Sequence, residues 1–215
     1  MADWEMNLDE PVRPTLLPDT GKKIGIIGGG PCGLSAAYYL RILGHTPVII
    51  DAKPELGGML RYGIPEYRLP KKVLDFEIKE ITELGVEVRV NTALGKDVDL
   101  ADLREEFDAT LIALGAWDNS SMRCAGEDLP GVWGGTTFLQ QREMGVNIDM
   151  TDQRVVVVGG GNTAMDAARS SLRQGAREVI LLYRRTRKEM PANVVEIIAA
   201  EHEGVIYKLL AAPTR

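Results

Sequence analysis

Residues 23–43 read KIGIIGGGPCGLSAAYYLRIL. An apolar run, Ile24–Ile27, meets the turn Gly28-Gly29-Gly30-Pro31-Cys32-Gly33, and the helix-like run Leu34–Leu43 comes directly after it. Strand, glycine turn and helix in that order are the fingerprint of a βαβ unit built for a dinucleotide. The first glycine permits the tight turn. The second, lacking a Cβ, lets a pyrophosphate approach the backbone, and the third lets helix and strand pack closely. The phosphates then lie at a helix N-terminus, where free N–H groups and the helix dipole favour negative charge.

Outward from this stretch, the pattern recurs. Residues 154–173 read RVVVVGGGNTAMDAARSSLR, with Gly159-Gly160-Gly161-Asn162-Thr163-Ala164 between the run Val155–Val158 and the helix-like run Met165–Leu172. A lone glycine-rich turn can be a turn without a ligand. Two of them, each in strand–turn–helix context, point to an enzyme that holds two nucleotides and passes electrons between them. The end of the next strand separates the two units. In the first unit that strand, Pro47–Ile50, ends in Asp51, an acid placed to hydrogen-bond an unphosphorylated adenosine ribose, as in FAD or NAD. The corresponding strand of the second unit, Val179–Tyr183, ends in Arg184-Arg185, with Arg187 and Lys188 close behind. A cationic fork in that position suits a 2′-phosphate through bidentate contacts and predicts NADP(H).

Composition narrows the class. The 215 residues suffice for one or two domains with substantial cores. Net charge is −6, which gives no general attraction to nucleic acid or to an anionic membrane. No apolar run approaches the ~20 residues of a membrane span. The acidic N-terminus MADWEMNLDE lacks a signal-peptide core, so a cytoplasmic location is expected. The two cysteines, Cys32 and Cys124, form no C-x-x-C, so this chain alone provides neither a dithiol redox centre nor a cluster or zinc site. His45 and His202 have no sequence neighbours that suggest a metal or a triad.

Along the chain, residues 1–20, with Pro11, Pro14 and Pro18 among charges, read as an extended linker or docking arm. A first nucleotide-binding domain is expected over 21–117 and a second over 118–215. The segment 54–70, dense in Gly and Pro, reads as an ordered loop. Lys71–Leu84 has helical spacing, with Val73, Leu74, Ile78, Ile81 and Leu84 on one face and Gly85 as its stop. Val86–Val90 reads as a strand, Leu100–Glu106 as a short helix and Ala109–Leu114 as a buried strand ending at Gly115. A connection carries a helix near Thr136–Met144. After the second βαβ unit come a helix near Asn193–Glu203 and a strand over Val205–Leu210. Strands alternating with helices predict parallel sheets of the doubly wound α/β kind.

Thr20-Gly21-Lys22-Lys23 followed by IGIIGGGPCGLSAAYYL, then Asp51, then GGMLRYGIPEYRLPK, resembles the flavin domain of the glutamate synthase small-subunit family. Dihydropyrimidine dehydrogenase contains a similar module. VVVVGGGNTAMDAARSSLRQGA with LLYRRTRKEMPA resembles the NADPH domain of the same family. The resemblance runs from about residue 20 to the C-terminus and implies a flavoprotein of two Rossmann-like domains. It implies that Gly28, Gly30, Pro31 and Gly33 cradle the FAD pyrophosphate and that Asp51 holds its ribose. Gly57, Gly58 and Met59 then line the route to the flavin ring, Arg68 is a flavin-side arginine, and Leu94 packs the adenine end. Ala113-Leu114-Gly115 corresponds to the crossover strand that passes the FAD. Gly159, Gly160, Gly161, Asn162 and Thr163 hold the NADPH pyrophosphate, and Arg184 and Arg185 its 2′-phosphate.

The same resemblance implies hydride transfer from NADPH to FAD, then single electrons to an iron–sulfur domain or subunit and a larger catalytic subunit. No acid–base residue is required. In the family the clusters lie in an N-terminal domain before the TGKK segment, and here a short proline-containing arm stands there. The family also closes its flavin domain with a Gly-Asp segment, whereas Gly175 and Gly204 are not followed by Asp. Both domains are therefore expected to be incomplete at the C-terminus, with open sheet edges that favour association, including homo-oligomers. Two alternatives stand beside the enzyme: a thioredoxin-reductase-like flavoprotein, disfavoured by the missing C-x-x-C, and a nucleotide-binding or assembly module without turnover.

Overall fold

The computed structural model describes residues 5–8 and 12–214. Of these, the residues up to Arg61 together with Glu66–Ala116 form one compact unit. Tyr62–Pro65 and the residues from Trp117 onward form the other.

In the first unit, β1 (Lys23–Ile27), α1 (Pro31–Ile42) and β2 (Thr46–Ile50) make the βαβ unit. The one-turn α2 (Met59–Tyr62) lies within the expected loop. Then come α3 (Lys71–Thr82), β3 (Glu87–Arg89), α4 (Leu100–Glu106) and β4 (Ala109–Ile112). The sheet order is β3-β2-β1-β4, all parallel, with Ile26 opposite Ile49 and Ile27 opposite Ile50. Central parallel strands are covered on both faces, which is why these two read as unbroken apolar runs. Ile26 and Ile49 pack with Leu34, Ala37, Leu56 and Val86 on one face; Ile27, Val48 and Ile50 pack with Leu103 and Phe107 on the other. Ile78 and Ile81 of α3 join the first cluster, as their spacing predicts.

The strand expected to be buried over Ala109–Leu114 is shorter and more open. β4 ends at Ile112, and Ile112 and Leu111 are 56% and 37% exposed. The reason is positional: β4 is an edge strand that pairs only with β1 among the described residues, and its faces are less covered than those of the central strands. An apolar run alone cannot say whether its second neighbour is present.

The expected arm over 1–20 is described at residues 5–8 and from residue 12, and residues 1–4 and 9–11, with Pro11, lie outside the described set. Leu17 N–H donates to Ile42 C=O at 2.8 Å and Thr20 N–H to Gly44 C=O at 2.9 Å. Arg13 pairs with Glu83 just past α3. The arm thus lies against the C-terminal ends of α1 and α3.

In the second unit, α5 (Gly135–Glu143) precedes β5 (Arg154–Val158), α6 (Asn162–Arg173), β6 (Glu178–Tyr183), a 3₁₀ turn (Arg187–Glu189), α7 (Val194–His202) and β7 (Ile206–Leu209). The order is β5-β6-β7, again parallel. One face, carrying Val179 and Leu181, packs on the helices in a core with Met165, Ala168, Phe138, Leu139, Ile197 and Ala200. Full burial of a side chain such as Met165 contributes about 2 kcal/mol.

Helix ends explain the tight returns to the strands. At the end of α1, Gly44 N–H donates to Arg41 C=O and His45 N–H to Leu40 C=O, a Schellman pair that needs the left-handed φ of +84° at Gly44. The same bond pair closes α5, α6 and α7.

Candidate functional site

The turn after β1 is held from several sides. Gly28 N–H donates to Ile50 C=O, and Gly57 N–H donates to Gly29 C=O, each at 2.8 Å. Gly29 N–H donates to Asp51 Oδ2 at 2.6 Å, while Asp51 Oδ1 accepts from Lys53 N–H at 2.7 Å. Asp51 therefore stands half-buried at the end of β2 with its carboxylate drawn against the glycine turn. A carboxylate has about four lone-pair sites, so two backbone donors leave acceptor capacity.

Two of these glycines are dictated by contact. Gly28 has φ +110°, and a Cβ there meets Ala113 O at 2.3 Å. A Cβ at Gly33 meets Gly28 O at 1.9 Å, so α1 can start against the end of β1 only with glycine. Pro31 occupies the exposed first turn of α1, where its missing N–H costs nothing. The N–H groups of that turn have no intrahelical partner.

The structure brings a second glycine pair onto this turn. A Cβ at Gly58 falls 2.7 Å from Gly30 Cα, so the 57–59 loop lies directly across the glycine turn, with Met59 half-buried at the start of α2. Arg61, not singled out in the sequence, anchors that loop. Its Nε donates to Leu56 C=O at 2.6 Å, and its guanidinium pairs with Glu55 at 3.6 Å and with Asp75. Only the tertiary contacts mark it, since nothing in the sequence separates it from other surface-type arginines.

The remaining first-unit candidates lie elsewhere. Arg68 is half-buried in the segment before α3. Leu94 is partly buried against Ile27, Val48, Ile50, Leu103 and Phe107 and bridges to Val98, a core placement. Gly115 lies exposed beyond β4 with φ +73°.

In the second unit the three glycines differ in surroundings. Gly159 N–H donates to Leu182 C=O at 3.0 Å, and a Cβ on Gly159 lies 3.1 Å from that of Ala164. Gly160 is covered by the Tyr183 ring, which a Cβ there meets at 2.6 Å. Gly161 has open space: nothing lies within 4 Å of a Cβ built on it. Met165 N–H donates to Gly161 C=O at 3.1 Å as α6 begins, so the exposed Asn162 and Thr163 sit on its first turn.

The segment after β6 folds back onto this turn. Ala192 N–H donates to Gly160 C=O at 3.1 Å, and Asn193 N–H donates to Asn162 Oδ1 at 2.9 Å. Asn193 also caps α7, its Oδ1 accepting from Val195 N–H at 3.0 Å. Within the cationic run, Arg187 is committed: it grips Glu201 at 3.0 and 2.6 Å and lies over the Tyr207 ring at 5.5 Å. That hydrogen bond raises the Arg187 pKa and lowers that of Glu201. Arg184 and Arg185 are exposed and form no ion pair among the described residues. Sequence position alone does not separate these three arginines.

Among the described residues no group of three or more His, Cys, Asp or Glu could hold a metal ion, and no helix is long and apolar enough to cross a membrane. His45 Nδ1 lies 2.7 Å from Thr20 Oγ1, where it helps to fasten the arm.

With this geometry, residues 16–214 match the family described as pyridine nucleotide-disulphide oxidoreductase. The chain is 50% identical to NADP(+)-dependent formate dehydrogenase subunit beta of Moorella thermoacetica, over 91% of this chain and 28% of that protein. It is 39% identical to the glutamate synthase [NADPH] small chain of Escherichia coli, over 94% of this chain and 45% of that one. The chain thus spans less than half the length of these curated relatives. Among solved structures, Mycobacterium tuberculosis FprA in complex with NADPH superposes with TM-score 0.73 at 25% identity, covering 86% of this chain and 48% of FprA. The resemblance to the glutamate synthase small chain and the two-sheet α/β reading are borne out.

Proposed function

The chain belongs to the pyridine nucleotide-disulphide oxidoreductase family, and from that premise we propose that it is the electron-input module of an NADPH-oxidising flavoprotein. In this reading, which is of the glutamate synthase small-chain type, FAD lies on the first turn and NADP(H) on the second. One observation carries it: the two turns end in opposite charge. The first faces the Asp51 carboxylate, whereas the second is followed by Arg184 and Arg185, which pair with no carboxylate among the described residues.

The residues fit the two nucleotides. Gly28 and Gly33 draw α1 onto the strand so that its free N–H groups face a pyrophosphate, and Asp51 presents its remaining acceptor capacity to a ribose. Gly30, where the Gly58 backbone crosses, leaves no side chain in the way of a phosphate, and Gly57, Gly58 and Met59 continue from there. Arg68, Leu94 and Gly115 complete the FAD-side set carried by the family likeness. On the second turn, the open face at Gly161 takes the pyrophosphate beside Gly159, Gly160, Asn162 and Thr163. Arg184 and Arg185 take the 2′-phosphate as charge-assisted donors.

Bound FAD supplies a hydride acceptor for the nicotinamide and a one-electron donor onward. The protein's part is to place and orient the two nucleotides, so no side chain needs to carry a proton. The onward acceptor is an iron–sulfur domain or subunit with a larger catalytic subunit behind it. The exposed, unpaired Cys32 fits a reducing compartment, the cytoplasm.

The test is the visible absorbance of the chain loaded with FAD and titrated anaerobically with NADPH, then with NADH. Retained flavin bands that bleach with NADPH at least about tenfold more readily than with NADH are expected, that ratio reflecting charged hydrogen bonds to one phosphate. Failure to retain flavin overturns the first-turn assignment and favours a module without turnover. Equal response to the two nicotinamides overturns the second.

A further inference from the structure

The two arginines proposed to take the 2′-phosphate are flanked by Tyr183 and Thr186, and both flanking residues are tied to Glu189. Thr186 N–H and Thr186 Oγ1 each donate to Glu189 Oε2 at 3.1 Å. Glu189 N–H donates back to Thr186 C=O at 3.1 Å, closing the 3₁₀ turn. On the other side, Tyr183 Oη donates to Glu189 C=O at 2.9 Å. The Tyr183 ring in turn covers Gly160 of the glycine turn. Glu189 is thus the clasp of a short loop whose span is the arginine pair, and its tyrosine arm reaches the pyrophosphate turn.

We infer that Glu189 is a positioning residue for 2′-phosphate recognition, setting the backbone from which Arg184 and Arg185 reach the ligand; this rests on the NADP(H) reading of that turn. Leu210 N–H donates to Arg185 C=O at 3.3 Å and Tyr183 Oη holds the Glu189 backbone carbonyl, so the Glu189 carboxylate adds the tie at Thr186. Without that tie the C-terminal side of the arginine pair must be ordered by the ligand at an entropy cost on binding. With it, the backbone at Thr186 is set before the ligand arrives. Holding an anion next to the fork opposes phosphate binding by charge alone. Here the Glu189 carboxylate is occupied by Thr186, whose backbone and hydroxyl hydrogen bonds, ahead of the nearby charge of Arg185, lower its pKa. The carboxylate therefore acts as an acceptor for the loop while leaving Arg185 without an ion pair.

The experiment is calorimetric titration of the full chain with NADP⁺ and NAD⁺, which differ only by the 2′-phosphate. In Glu189→Ala, NADP⁺ affinity is expected to fall about tenfold, the size of one lost ordering hydrogen-bond set, with NAD⁺ unchanged within about twofold. Glu189→Gln keeps an acceptor oxygen for Thr186 and should bind NADP⁺ at least as well as the parent. Equal loss of both nucleotides in Glu189→Ala, no loss at all, or a Gln variant as weak as the Ala variant overturns the inference. The double variant Arg184→Ala, Arg185→Ala separates the two levels. If it loses no NADP⁺ selectivity, the 2′-phosphate reading itself fails; if it does while Glu189→Ala does not, only the role of Glu189 fails.

Discussion

Asp51 has two demands on one carboxylate, and the geometry shows how they coexist. Its oxygens already accept from Gly29 and Lys53 backbone N–H groups, so the side chain shapes the turn before any ribose is present. Removing it should cost more than a ligand contact. Asp51→Ala is expected to lower FAD retention by about 10- to 100-fold, since hydrogen bonds to a charged group contribute roughly 1.5–3 kcal/mol. NADP⁺ affinity, which belongs to the other turn, should be unchanged. Flavin content of the purified variant against NADP⁺ titration checks this, and unchanged flavin content would remove the ribose role. Gly160 gives the complementary lesson, because its missing Cβ makes room for the Tyr183 ring and Gly161 is the glycine open to solvent. In a run of three glycines the spacing is visible and the division of labour is not.

At the scale of elements, α6 is the most enclosed helix of the second unit, with Ala164 through Ser171 all buried. Its apolar face meets the sheet, but its other face carries Arg169, which pairs with Glu196 and, at 2.7 Å, with Glu203. Arg173 adds a bond to Glu203 at 2.8 Å. This ionic latch holds α7 across α6, and the cap of α7, Asn193, contacts Asn162. The latch therefore backs the nucleotide turn from behind. Arg169→Ala removes charged hydrogen bonds to the part-buried Glu196 and Glu203, while Arg173 still holds Glu203, and should destabilise the chain by about 1–3 kcal/mol. Burial raises the Glu203 pKa, yet hydrogen bonds from Arg169 and Arg173 outweigh it and leave the net value lowered. A depressed carboxylate contributes stability that is full above its unfolded value, about 4.3, and is lost as pH falls through its folded value. The parent should therefore lose stability below that pH more steeply than Arg169→Ala. Urea midpoints between pH 3 and 7 measure both effects, and parallel pH curves would mean that the latch does not set the Glu203 titration.

For the whole molecule, the open face of the second sheet is the feature to probe. Val156 and Ile206, on the face of β5-β6-β7 away from the helices, are 58% and 52% exposed, with Ile180 between them. β5 and β4 each have a side with no paired strand among the described residues. Apolar sheet faces and free edges favour association. The chain should self-associate in sedimentation velocity at tens of micromolar, and Val156→Lys with Ile206→Lys should return it to monomer. A parent that is already monomeric, or a double variant that associates equally, would show that this face does not drive contact.

Both βαβ units, the parallel sheets and the acid-against-arginine contrast between the turns were legible in the sequence. These depend on local spacing: apolar runs of strand length, glycines at fixed intervals, and a charge at a strand end. The sequence also placed α3 and α4 from periodicity and composition. Contacts between residues distant along the chain required the tertiary structure. The crossing of Gly58 over Gly30, the anchoring of that loop by Arg61, the diversion of Arg187 to Glu201 and the clasp on Glu189 depend on which side chains share a few ångströms of space. The exposure of β4 was decided the same way, because a strand at the edge of a sheet is buried only where other layers cover its faces, and one strand's residues do not record whether they do.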